Sequence, residues 1–137
     1  MTSTYQSVSL DDAQRVIDAA RSRAEEISSP SNIAVVDAGG NLVAHARMDG
    51  AWIGSIDIAI NKAYTARALD IATAELAAAA APGQQFYGIH VSNGGRIMIF
   101  AGGIPLRKDD EIVGAVGVSG GTGEQDTTVA EAAAAAL

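Results

Sequence analysis

Lys62 falls in the middle of a segment, Ser55 to Ala68, in which Ile56, Ile58, Ala59, Ile60, Ala63, Ala66 and Leu69 would cover most of a helix's circumference. Arg47 lies on a neighbouring alternating segment. A cation on a mostly apolar surface needs a counter-charge or a ligand. Asp37, Asp49 and Asp57 can supply the counter-charge, and Tyr64 shares the helix with Lys62, so an ion pair between elements and a ligand contact are equal readings. The only histidines are His45, on that alternating segment, and His90, in an irregular one. They are too few for a protein-only zinc site without recruited carboxylates, although a haem axial position needs just one. An ordinary polar role is the commoner fate of such a histidine. There is no cysteine, which excludes disulfides, thiolate metal sites, thiol nucleophiles and iron–sulfur clusters.

The stretch from Ala101 to Gly123 is dense in glycine, and Gly121-Thr122-Gly123 stands at a strand-to-helix junction. A dinucleotide fingerprint is excluded because Asp126 occupies the third glycine position and no further strand follows; no Walker lysine is present either. Free backbone N–H groups converging on a helix start can hold a small anion or carboxylate. The plainer alternative has Asp126 capping the first turn. No Gly-x-Ser-x-Gly elbow occurs, and Ser119 has no histidine after it, so a hydrolase triad is not expected.

The elements that must position these residues follow from the apolar spacing. Ser9 caps a helix whose apolar positions are Leu10, Ala13, Val16, Ile17, Ala20, Ala24 and Ile27, ending near Ser28-Ser29-Pro30. Asn32 to Asp37 and Leu42 to Met48 form a β-hairpin about Gly39-Gly40, with Val43, His45 and Arg47 on one face of the second strand. Asp49-Gly50 turns into the Lys62 helix, and a short alanine helix from Thr73 is stopped by Pro82-Gly83. Three strands follow, Arg96 to Phe100, Gly102 to Leu106 and Ile112 to Ser119, and then a helix over Glu124 to Leu137. Gly114 and Gly117, at three-residue spacing within the last strand, predict close backbone contact with a helix or ligand. The hairpin connections imply an α/β (α+β) chain with a mostly antiparallel sheet and helices packed on it, residues 1–137 forming one domain. The doubly apolar Lys62 helix predicts one side against the sheet and the other against a second subunit.

Of 137 residues, 48% are apolar and 18% charged, a composition that folds. The net charge of −7 and the scattering of nine basic residues make nucleic acid an unexpected partner. The start, MTSTYQSVSL, has no basic and apolar signal pattern, so the cytoplasm is the default location. The alanine run near Ala77 lacks the bulky apolar mass of a membrane span.

Five ordered motifs carry a resemblance. Val35-Val36-Asp37-Ala38-Gly39-Gly40, Arg47-Met48-Asp49-Gly50-Ala51, Asn61-Lys62-Ala63-Tyr64-Thr65-Ala66, Gly102-Gly103-Ile104-Pro105-Leu106 and Gly114 to Gly121, closing with Gln125-Asp126, resemble the GlcG/HbpS family. That family also supplies the C-terminal domain of PduO-type corrinoid adenosyltransferases. The resemblance implies a profilin-like, five-stranded antiparallel sheet flanked by helices and a homo-oligomer, from dimer to octamer. It further implies a small-molecule ligand, with haem or a related tetrapyrrole as cofactor class, and a place in catabolic operons.

The matching motif positions include Arg47, Asp49, Lys62, Gly102, Gly103, Gly120, Gly121 and Asp126; with Tyr64, they are the candidate ligand-binding residues. In a haem protein, Arg47 or Lys62 would pair with propionates and His45 or His90 would approach the iron. In a cofactor-independent enzyme, Arg47 and Lys62 would hold a carboxylated metabolite while His45, Lys62 or Asp126 served catalysis. A non-catalytic structural oligomer is the third reading.

Overall fold

The computed structural model describes residues 1–137. Four helices, α1 (Leu10–Glu26), α2 (Gly54–Ala68), α3 (Thr73–Ala79) and α4 (Gly123–Ala134), accompany four strands, β1 (Asn32–Asp37), β2 (Leu42–Arg47), β3 (Gly103–Lys108) and β4 (Glu111–Ser119). The sheet order is β2-β1-β4-β3 and every pairing is antiparallel.

The two central strands are covered on both faces. Along β1, Ile33 and Val35 point to α1 and α4, joining Val16, Ile17, Leu106, Val116, Val118 and Val129 in the larger core. Ala34 and Val36 point the other way, to Ala59, Ala63 and Ala66 of α2. Burial on both faces is why β1 reads as a continuous apolar run rather than an alternation. The α2 interface is made of small side chains, and Gly117 carries the closest approach. A Cβ there would collide with the carbonyl of Ala59 and lie 2.5 Å from the amide of Ala63. Only Gly117 marks a helix seated on bare strand backbone; Gly114 faces the Val36 carbonyl and Val8, and Gly120 faces Pro30 and Ser31.

Ser9 caps α1 in a reciprocal box with Asp12. Leu10, expected on the apolar face, instead stands 61% exposed at the start of the helix. On β2, the register irregularity between Val35 and Val36 brings Val43 against the same core as Ala44, Ala46 and Met48, although strict alternation would have turned it away.

The expected five-stranded sheet has four strands: Arg96 to Phe100 is not one of them. The apolar run there belongs to a long strap that leaves α3 and passes through short 3₁₀ turns at Ile89–Val91 and Asn93–Gly95. Ile97 is buried, but its neighbours satisfy their backbone on α2. The Met98 amide donates to Thr65 Oγ1 at 2.9 Å, and no strand pairs with the segment. No helix is long and apolar enough to cross a membrane.

Candidate functional site

Lys62 and Asp126 meet beneath the open side of α2. The Lys62 ammonium donates to Asp126 Oδ2 and to the carbonyl of Val118, each at 2.9 Å, and the two side chains are only 3% and 4% exposed. Asp126 Oδ1 accepts the Gly121 amide at 3.0 Å. The counter-charge to Lys62 thus comes from α4, not from Asp37, Asp49 or Asp57. Nor does Asp126 cap its helix: Thr122 does, in a capping box with Gln125. Asp126 lies one turn in, where its carboxylate reaches across to α2. Burial pushes the Lys62 ammonium below the ordinary lysine value, against the opposing pull of the Asp126 charge and hydrogen bond.

Backbone shape clears the space for this pair. Gly102 has φ of 124°, and a Cβ there would stand 2.5 Å from the Val118 carbonyl and 3.0 Å from Lys62 Nζ. Gly103 lies against the Lys62 backbone and donates its amide to Thr73 Oγ1 at 2.8 Å. Gly120 packs on Pro30 and Ser31. These glycines place the chain around the pair without side chains of their own.

Above the pair opens a cleft of about 480 Å³. Lys62, Asp126, Ser55 and Ser119 line its polar part; Trp52, Ile58, Ala77, Ile99, Phe100 and Ala101 form the apolar part, with Gly121 and Gly123 at the turn into α4. Ser55 and Ser119 are both buried and share a hydrogen bond of 3.0 Å. A second hollow of about 200 Å³, lined by His90, Gly95, Ile97, Met98, Ile99 and Phe100, shares Ile99 and Phe100 with the cleft. His90 itself is exposed on its 3₁₀ turn.

Other expected members lie elsewhere. Arg47 and Asp49 are exposed and border a separate hollow of about 450 Å³ with Arg21, Glu25, Ala46 and Met48, so Arg47 and Lys62 do not share one site. Tyr64 turns to the strap: its hydroxyl donates to Asn93 Oδ1 at 2.9 Å, and the Arg96 guanidinium sits 3.5 Å from its ring centre. His45 is half-buried under the hairpin, with Nε2 at 3.0 Å from Asn32 Oδ1. Since the Asn32 amide donates to the Trp52 carbonyl, its oxygen faces the imidazole and Nε2 is the donor. Burial first, and the Arg47 charge second, hold His45 below the ordinary histidine value. It borders none of the three hollows described above.

Ser55, Trp52, Ile99 and Phe100 were not singled out in the sequence. A serine opening an otherwise apolar helix is a weak signal for Ser55. For Trp52 and Phe100, the signal is large apolar side chains beside turns, which the structure leaves 65% and 58% exposed.

A four-stranded antiparallel sheet with helices on both faces, carrying an apolar-walled cleft over a buried lysine–aspartate pair, defines an α+β protein built around a ligand-sized cleft. Its family is shown by comparison: residues 8–135 match the model described as haem degrading protein HbpS-like, and the chain belongs to that family. It is 45% identical over 126 residues to an uncharacterized 15.0 kDa protein of the dhaT–dhaS intergenic region of Citrobacter freundii, covering 92% of this chain and 89% of that one. It is 39% identical to the corrinoid adenosyltransferase PduO of the same organism, covering 96% of this chain but 39% of PduO.

Among solved structures, a PduOC:heme complex superposes with a TM-score of 0.91 at 36% identity, covering 96% of this chain and 95% of that one. A double mutant of Streptomyces reticuli HbpS superposes at 0.85 and 33% identity, covering 100% of this chain and 90% of that one.

Proposed function

We propose that this chain binds a small molecule in the cleft between α2, the strap and the β4–α4 turn, and that haem or a related tetrapyrrole is the class of ligand. The observation that carries the reading is that the cleft over Lys62 and Asp126 and the His90 hollow have Ile99 and Phe100 as common walls, so apolar side chains lie between a cation on one side and an imidazole on the other. The PduOC:heme complex supports it by likeness.

The residues present fit haem in one arrangement. His90 is exposed on an apolar hollow with a ring nitrogen open to a metal, whereas His45 has Nε2 engaged by Asn32. In this reading His90 is the axial candidate, Ile97, Ile99, Phe100 and Trp52 exclude water from the macrocycle, and Lys62 faces the propionate end. A bound haem would supply iron for ligation or redox chemistry. Titration of the purified protein with haemin should give a Soret shift that His90→Ala weakens and His45→Ala leaves in place. Absence of any shift overturns the haem reading.

A second reading, a cofactor-independent enzyme acting on a small carboxylated metabolite, is favoured by one observation. A lysine with a depressed proton affinity beside a carboxylate, at the edge of a cavity, is equipped to move a proton. Lys62 and Asp126 would carry that chemistry without Arg47. In either reading we place the protein in the cytoplasm as a homo-oligomer, between dimer and octamer.

A further inference from the structure

Counting hydrogen-bond donors at the floor of the cleft gives a surplus. An ammonium carries three N–H groups. Two of those on Lys62 are taken, by Asp126 Oδ2 and the Val118 carbonyl, in a side chain 3% exposed that borders the cleft. The hydroxyls of Ser55 and Ser119, residues 2% and 5% exposed, have only one hydrogen bond, the one between them, so one of the two hydroxyl protons has no protein acceptor. The N–H groups of the first helical turn have no intrahelical partner. Thr122 Oγ1 takes that of Gln125, which leaves Gly123, at the cleft edge, to donate outward.

Both oxygens of Asp126, the one carboxylate bordering the cleft, are engaged, one by Lys62 and one by the Gly121 amide. Donors without a protein acceptor thus border the empty volume on three elements, α2, β4 and the start of α4.

We infer that this floor is a carboxylate-binding subsite, in which the third Lys62 N–H, the spare hydroxyl proton of the Ser55–Ser119 pair and the Gly123 amide receive the oxygens of a small carboxylate. The chemistry favours a carboxylate over a neutral amide. The donors include a charge-bearing group on a buried side chain, and the start of α4 adds its dipole. This inference rests on the cleft being the ligand site. The carboxylate can belong to a free small acid or to the propionate edge of a tetrapyrrole.

The test is an amide ¹H–¹⁵N NMR titration of the intact chain with sodium propionate and, separately, with propionamide. Propionate should move the amides of Ser119, Gly121 and Gly123, and propionamide should bind about ten-fold more weakly or not at all. Ser55→Ala with Ser119→Ala, which removes both hydroxyls and little volume, should weaken propionate binding several-fold while keeping the spectrum otherwise native. Equal response to both probes, shifts confined to other surfaces, or unchanged propionate binding in the double variant overturns the subsite.

Haemin and its dimethyl ester, followed in the Soret band, separate the sources. Weaker binding of the ester, matched by Ser55→Ala with Ser119→Ala, assigns the subsite to a propionate, and ester binding equal to haemin assigns it to a free acid. Propionate binding with no haemin binding leaves the subsite standing and removes the haem reading.

Discussion

A lysine ammonium and a carboxylate buried together are costly to desolvate, and their mutual attraction offsets that cost only while both are present. Removing Asp126 alone leaves a charge with a single carbonyl partner. Asp126→Ala is expected to lose about 3–5 kcal/mol in urea denaturation. Lys62→Met with Asp126→Leu should recover most of that loss, since an apolar pair of similar volume leaves no stranded charge. If the single and double variants are equally destabilised, the ion pair is not the source.

His45 gives a pH signature. Its folded proton affinity lies below the ordinary value of 6.5, so between that value and its lower folded one the unfolded chain binds more protons. Its contribution to stability is complete above pH 6.5 and is lost as pH falls through that window. Thermal melts between pH 7 and 4 should show a smaller acid loss in His45→Gln than in the parent. Lys62 was legible as a cation on an apolar helix; its partner, 64 positions away, was not. Nothing local in Gln125-Asp126 distinguishes a cap from a carboxylate that crosses to another element.

At the scale of elements, small residues decide how closely layers approach. Alanines on α2 and Gly117 on β4 let helix backbone touch strand backbone, so Gly117→Ala has no soft neighbour to displace. It should cost about 1–3 kcal/mol or more by chemical denaturation, as overpacking of a tight core does. Thr122→Ala removes the acceptor for the Gln125 amide and should cost about 1 kcal/mol, with little change in the position of Asp126 because Lys62 still holds it.

The hairpin, α1, α2 and the long β4 were legible because period and turn chemistry agreed. Arg96 to Phe100 was not: Ile97-Met98-Ile99-Phe100 has the composition of a strand, and what overrides it is Thr65, whose hydroxyl accepts the amide a neighbouring strand would have taken. Composition cannot tell a strand from an extended segment lying on a helix.

For the whole molecule, the order of the motifs was enough to place the family and its antiparallel α+β class but not the number of strands, while the site depended on contacts among α2, β4, α4 and the strap that no single motif contains. The outer rim of the cleft adds a requirement of its own. Trp52 and Phe100, both at the cleft, are mostly exposed. Large apolar side chains exposed at the mouth of a cleft mark a surface that a partner or ligand covers.

The isoleucines of α2 are only partly covered by this chain. Self-association through this rim would narrow the mouth of the cleft, linking oligomeric state to ligand affinity. Trp52→Lys with Phe100→Glu should therefore lower the mass observed in sedimentation velocity and weaken ligand binding together, while Arg47→Ala, at the separate hollow beside α1, should change neither. A variant that dissociates yet binds with unchanged affinity would detach the cleft from the interface and leave its apolar walls to the ligand alone.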